Sequence, residues 1–143
     1  MKFWDSSALV PLMTRETRTE ELKALAAGDS AASVWWGTEV ECASAMDRRA
    51  RNAAWSPFAE REASARLAVL ARGWMVVVPS DDLRERAVRL VRVHRLSSGD
   101  ALQLAAALAW ADGRPEGQAI VVLDHRLADA ARLEGFTVLP EDM

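Results

Sequence analysis

The chain alternates between short apolar runs and longer segments in which apolar residues recur at helical spacing. Short runs rich in β-branched or aromatic side chains predict strands. The strongest runs are Lys2–Trp4, Ala31–Trp35, Met75–Val78 and Ala119–Leu123, and Thr137–Leu139 is a less apolar fifth. Because the first four are apolar almost throughout and helical patterns separate them, they predict buried strands of a parallel sheet covered on both faces.

The segments between these runs predict helices with recognisable ends. Pro57 suits a first helical position, and Gly28, Gly73 and Gly135 each follow a helical pattern as a stop. The segment Ser98–Ala111 is apolar nearly all round, which predicts a buried central helix. The other predicted helices are Thr17–Ala27, Gly37–Arg51, Pro57–Arg72, Asp81–Arg95 and Leu127–Glu134. This order predicts an α/β fold: a three-layer α/β/α sandwich around a central, mainly parallel sheet of four to five strands.

Composition narrows the classes of protein to which the chain can belong. Its 143 residues, half of them hydrophobic and 27% charged, predict one globular domain over residues 1–143. The longest nearly apolar stretch, Ala101–Ala111, falls short of the ~20 residues that a membrane span needs. Asp5 interrupts the N-terminus before the apolar part of a signal peptide could form, so we expect a cytoplasmic protein. The single cysteine, Cys42, excludes an internal disulfide, and two histidines are too few for a histidine zinc cage.

Three aspartates share one structural setting. Asp5 follows the first predicted strand and precedes a helix, Asp124 does the same after the fourth, and Asp100 lies in the first turn of the buried helix. One such aspartate alone would be read as a helix cap, worth ~0.5–2 kcal/mol. In an open parallel sheet, however, the carboxyl ends of the strands and the following helix starts line a common crevice. We therefore expect the three carboxylates to meet in one cleft if their strands are neighbours.

A cleft lined by carboxylates suggests a cation. Crowded carboxylates repel one another and raise one another's pKa unless a cation joins them. Oxygen ligands without histidine or cysteine favour a hard ion, Mg²⁺ or Mn²⁺. A fourth acid could come from the helix after the second strand, where Glu39 and Glu41 point about 200° apart and only one can face the cleft. Periodicity does not choose between them.

Together these segments resemble a PIN-domain ribonuclease of the VapC toxin type. The resemblance covers nearly the whole chain, through DSSALVPL, EVECASAMDRR, LSSGDALQLAAAL and VVLDHRLADAARLEGF. No single motif is specific, but four in this order and context are. The resemblance implies that Asp5, Glu41, Asp100 and Asp124 are both the catalytic residues and the metal ligands, with Glu39 outside the ligand set.

The resemblance implies an Mg²⁺-dependent endoribonuclease that is the toxin of a toxin–antitoxin pair, with Mn²⁺ as a substitute ion. Such an enzyme would cleave single-stranded or looped RNA with metal-activated water, form a homodimer and be covered by an antitoxin protein. Trp35 and Trp36 lie beside the expected cleft and are candidates for stacking on a base. Four arginines lie near the motifs and are candidates for phosphate contacts: Arg15, Arg48, Arg95 and Arg126.

Two other functions compete with this interpretation. An aspartate-nucleophile phosphohydrolase of the haloacid-dehalogenase type also begins with an aspartate after the first strand, but it requires a second aspartate two residues on. Here that position is Ser7. A non-catalytic PIN-like scaffold that binds RNA or protein would be expected to lack one of the four acids, and none is missing.

Overall fold

Five short strands form one parallel sheet at the centre of the protein. The computed structural model describes residues 1–143. The strands are β1 Lys2–Trp4, β2 Ala32–Trp35, β3 Met75–Val77, β4 Ala119–Val121 and β5 Thr137–Leu139. They pair in the order β3-β2-β1-β4-β5, and every pairing is parallel. The predicted sheet is confirmed, with all five strands present and β1 between β2 and β4.

Seven helices connect and cover the strands. Six of them lie within about two residues of the predicted bounds, and the short helix directly after Asp5 was predicted without bounds. Ser56 caps the helix that starts at Pro57 by accepting the Ala59 N–H, and Gly135, at a φ of 109°, ends the last helix. None of the helices is both long and apolar enough to cross a membrane. The helices are α1 Ser6–Leu9, α2 Thr19–Ala27, α3 Thr38–Asn52, α4 Pro57–Ala71, α5 Asp81–His94, α6 Ser98–Trp110 and α7 His125–Glu134, and a 3-10 turn at Val10–Leu12 follows α1.

The sheet has a separate hydrophobic core on each face. Successive side chains of a strand point to opposite faces, so Phe3 and Trp4 of β1 enter different cores. Phe3 packs among buried side chains of α5, α6 and α7, whereas Trp4 packs among those of α1 to α4. Both aromatic side chains are at most 1% exposed. The three-layer α/β/α sandwich is therefore confirmed, and α6 is buried over most of its length in the first of these cores.

One strand differs from its prediction. The run Met75–Val78 was expected to be buried, but Met75, Val76 and Val78 are 56%, 46% and 65% exposed. The reason is that β3 lies at the edge of the sheet, where it pairs only with β2 and the helical layers cover it incompletely. Within β3, Val77 alone packs against a core.

The central position of α6 can be tested by truncating its core side chains. Leu104 is fully buried, so Leu104→Ala should lower the free energy of unfolding in urea by about 2–5 kcal/mol. Leu133→Ala is the control, because Leu133 is 78% exposed on α7 and should change stability by no more than about 0.5 kcal/mol. Equal effects of the two substitutions would show that α6 is not central.

Candidate active site

The first two predicted site residues lie at the carboxyl ends of adjacent strands. Asp5 follows β1 and is the N-cap of α1, and Asp124 is the N-cap of α7, where it accepts the Leu127 N–H at 2.9 Å. The Asp5 N–H donates to the Val121 carbonyl at 2.9 Å and so continues the pairing of β1 with β4. The sheet thus places both carboxylates at one edge, and each of them also caps a helix.

A cleft of about 780 Å³ opens at this edge, and all four predicted site residues line it: Asp5, Glu41, Asp100 and Asp124. The structure also separates the two glutamates of α3. Glu41 is half-buried and lines the cleft, whereas Glu39 is exposed and lines a different groove, between α3 and α4. Glu41 is therefore the α3 glutamate that faces the three aspartates.

Asp5 is held by the hydroxyl of Ser7. Its Oδ2 accepts the Ser7 N–H at 3.0 Å and the Ser7 O–H at 2.5 Å. The same Ser7 oxygen accepts the Leu123 N–H at 2.9 Å, so one serine joins the chain after β1 to the chain just before Asp124. Burial raises the pKa of Asp5 to about 7; the bonds from Ser7 oppose this rise, and the charges of Glu41 and Asp100 add to it.

Glu41 is bonded through only one of its two carboxylate oxygens. Its Oε2 accepts the Ser6 O–H at 2.9 Å and the Gln103 Nε2–H at 3.2 Å. Burial raises the pKa of Glu41, these two bonds oppose the rise, and the charge of Asp100 adds to it. Sequence reasoning missed the role of Gln103, although a lone amide inside an otherwise apolar helix was a usable signal.

Asp100 lies in the first turn of α6, where its N–H donates to the Ser97 Oγ at 3.3 Å. Burial raises the pKa of Asp100, and the nearby charge of Asp124 raises it further. The bond with Ser97 and the charge of Arg126 oppose this rise. The charge of Asp124 therefore acts on Asp100 across the cleft, and the Arg126 guanidinium also lies near enough to act on Asp100.

The four acids lack a counter-ion of their own. None of them takes part in a salt bridge. No three acidic, histidine or cysteine side chains lie close enough together, as they stand, to hold one metal ion. The donors are nevertheless carboxylate oxygens only, at least partly withdrawn from water and short of positive charge. This donor chemistry fits a hard divalent cation, although an ion would have to draw the carboxylates closer together.

Aromatic and basic side chains line the same cleft. Trp36 is 62% exposed, and its ring meets that of the buried Trp35 edge-on at a centroid distance of 6.4 Å. Gly37 permits this turn, because a Cβ there would lie only 2.7 Å from the Trp35 Nε1. Arg48 lines the cleft from α3, and Arg49 beside it is paired with Glu16. The other three candidate arginines, Arg15, Arg95 and Arg126, do not line the cleft, although the charge of Arg126 lowers the pKa of Asp100.

Comparison with known proteins identifies the family. The PIN domain family matches the chain over residues 2–137. Two curated relatives are the ribonucleases VapC45 and VapC49 of Mycobacterium tuberculosis. Each is 32% identical over 148 aligned positions, which cover 99% of this chain and 96% of the relative. The chain belongs to the PIN-domain family, within its VapC type.

Solved structures share the fold. VapC20 of Mycobacterium tuberculosis, described as a toxin that cleaves the sarcin–ricin loop, superposes with a TM-score of 0.70 at 22% identity, covering 96% of this chain and 97% of its own. A toxin–antitoxin complex from Klebsiella pneumoniae contains a chain that superposes with a TM-score of 0.62 at 18% identity, covering 87% of each chain. At these identities the likeness concerns the fold alone.

The raised pKa of Asp5 predicts a pH-dependent stability. A carboxyl with a pKa near 7 when folded and 3.8 when unfolded keeps its proton longer in the folded state. Its contribution is therefore fully present below about pH 4 and is lost as the pH rises to about 7. In chelator, the protein should lose on the order of 1–4 kcal/mol of unfolding free energy between pH 4 and pH 8, and Asp5→Asn should lose clearly less.

The matched control is Asp112→Asn, at an exposed aspartate on the loop after α6. Urea unfolding of this variant should show the pH dependence of the unsubstituted protein. If Asp5→Asn also keeps the full pH dependence, then the Asp5 carboxyl does not hold its proton in the folded protein.

Proposed function

We propose that the protein is an Mg²⁺-dependent endoribonuclease and the toxin of a toxin–antitoxin pair. The supporting observation is that four acids, widely separated in sequence, line one cleft at the carboxyl edge of the sheet. The chain belongs to a family whose relatives here are VapC ribonucleases. An RNA phosphodiester is the substrate that best matches such a cleft with arginine and tryptophan at its walls.

Asp5, Glu41, Asp100 and Asp124 are the residues that would hold the cation. When bound, Mg²⁺ supplies a Lewis acid that polarises a phosphate oxygen and lowers the pKa of water, and Mn²⁺ can replace it. The chain itself sets the position of these oxygens: Ser7 orients Asp5, and Ser6 orients Glu41. Both serines belong to α1, so the first turn after β1 organises half of the acidic set.

RNA would approach along the wall formed by α3 and the end of β2. Arg48 is exposed there and can contact a phosphate, while its Nη1 donates to the Ser44 Oγ at 3.1 Å. Trp36 offers an exposed ring face on which an unpaired base can stack. Such contacts favour single-stranded or looped RNA, whose bases are accessible.

A nuclease of this kind needs control by a partner. We extend the proposal to an antitoxin that covers the cleft and to a homodimer in the cytoplasm. The Klebsiella pneumoniae neighbour of this fold is itself a toxin–antitoxin complex, which supports the first of these partners.

The nuclease activity can be tested directly with Asp100→Asn. Purified protein should cleave unstructured or looped RNA in Mg²⁺ and lose that activity in chelator. Asp100→Asn keeps the size of the side chain but removes a carboxylate from the cleft. It should lower the cleavage rate by on the order of 100-fold or more. End-mapping of labelled products gives both the rate and the cleaved sequence.

Asp82→Asn is the matched control, at an exposed aspartate in the first turn of α5, and it should cleave RNA at the normal rate. Cleavage that survives both chelator and Asp100→Asn would exclude the proposed site. If Mg²⁺ produces no cleavage of any RNA tested, the non-catalytic scaffold becomes the better explanation.

The stacking role of Trp36 predicts a separate effect on RNA affinity. Trp36→Ala should raise KM for the cleaved RNA on the order of 5- to 150-fold while kcat changes little, because stacking contributes ~1–3 kcal/mol per base. Trp36→Phe should recover most of the loss. Phe58→Ala is the control, since Phe58 is equally exposed (65%) but does not line the cleft. An unchanged KM for Trp36→Ala would rule out the stack.

A further inference from the structure

A fully buried amide lies between the two helices that carry Asp100 and Glu41. Gln103 of α6 is 0% exposed and is surrounded along its helix by alanine and leucine. Its Nε2 donates to the Thr38 Oγ1 at 2.9 Å and to the Glu41 Oε2 at 3.2 Å, and both acceptors belong to α3. The two helices pack on opposite faces of the sheet, so this amide joins the two layers beside the cleft.

The orientation of the Gln103 amide follows from its neighbours. Turning the amide over would place its oxygen against a carboxylate oxygen, so the N–H side must face Glu41. The Gln103 Oε1 is then left buried without a hydrogen-bond partner. An unpaired buried oxygen is unfavourable, and a leucine here would avoid it. Packing therefore does not explain the glutamine, whereas its bond to Glu41 does.

The bonds to Glu41 all fall on one of its two oxygens. Oε2 accepts one hydrogen bond from the Ser6 O–H and one from the Gln103 N–H, and Oε1 accepts no hydrogen bond from the protein. Two donors from different layers fix the plane of the carboxylate, because rotation of the side chain would break both bonds. The oxygen that they leave free is the one available to a ligand in the cleft.

We propose that Gln103 is a positioning residue, which holds Glu41 through Oε2 so that Oε1 is presented to the divalent cation. Thr38 fixes the amide from the other side, and Ser6 supplies the second donor. This inference rests on the proposed metal-dependent function. It adds to that function a residue that itself touches neither metal nor RNA.

The test is Gln103→Leu, a substitution of similar volume that removes the donor. Mn²⁺ alone is the probe, titrated into RNA-free protein at a fixed pH and followed by electron paramagnetic resonance. The affinity for Mn²⁺ should fall by about 10- to 100-fold, as expected when the partner of a metal ligand is lost. The kcat for RNA should fall with it while KM for RNA stays within about twofold of the normal value, since Gln103 does not reach the substrate.

Further variants separate positioning from packing. Ser6→Ala removes the other donor to the same oxygen and should also weaken Mn²⁺ binding. Thr38→Val should weaken Mn²⁺ binding less than Ser6→Ala does. Thr38→Ser should bind Mn²⁺ normally, because the serine hydroxyl still accepts the hydrogen bond from the Gln103 amide. Leu104→Met changes the adjacent buried position on α6 and should leave Mn²⁺ affinity unchanged.

Two results would overturn the inference in distinguishable ways. If the unsubstituted protein binds Mn²⁺ but folded Gln103→Leu binds it within twofold as tightly, Gln103 is a packing residue and only this inference fails. If Gln103→Leu fails to fold, Ser6→Ala becomes the test. Unchanged Mn²⁺ affinity in Ser6→Ala would then show that the hydrogen bonds to the Glu41 Oε2 do not position this carboxylate for the cation. If the unsubstituted protein neither binds Mn²⁺ nor cleaves RNA, the proposed function fails and the inference fails with it.

Discussion

The parallel pairing of β1 with β4 is the constraint on which the cleft depends. Because the two strands run in the same direction and lie side by side, the residues that follow them emerge at one edge of the sheet. Asp5 and Asp124 are those residues, although they lie 119 positions apart in the chain. The Ser7 hydroxyl then bonds both chain segments at once, to Asp5 on one side and to the Leu123 N–H on the other. Any shift of β1 against β4 would therefore break the pairing, the serine bridge and the alignment of the two acids together.

Bringing carboxylates together in this way carries an electrostatic cost that the fold does not remove. The pKa values of Asp5, Glu41 and Asp100 are all raised, chiefly by burial, and no salt bridge neutralises these carboxylates. Serine and amide donors reduce the cost for individual oxygens but add no positive charge. A bound divalent cation would reduce it for the whole set, which is why the protein without an ion is expected to be least stable where these acids are ionised. The same imbalance that raises these pKa values would favour the binding of a cation in the cleft.

Much of this arrangement could be predicted because it is local. A short apolar run followed by an aspartate and a helical pattern places Asp5 and Asp124 at strand ends without any knowledge of the sheet order. The strand order was not predictable from periodicity, since it depends on pairing between strands that are distant in sequence. The prediction of one shared cleft was therefore conditional on β1 and β4 being neighbours. The exposure of Met75 and Val76 was missed for the same reason: an apolar run looks alike in a central strand and at an edge.

Glu41 and Gln103 mark the limit of what pattern alone can predict. Spacing showed that Glu39 and Glu41 could not both face the cleft, but the choice between them depends on how α3 is rotated against the sheet. The resemblance suggested Glu41. The structure shows the rotation directly, because Cys42 and Ala45 of α3 pack into the core. Gln103 interrupts an apolar helix, and its partner lies 62 positions earlier in the chain, in a helix of the opposite layer. A buried polar side chain in such a helix is conspicuous in sequence because burial requires a partner, yet only the folded structure can identify it. Here the partner is a carboxylate in the cleft, so the one polar side chain buried within the apolar part of α6 bears on the site.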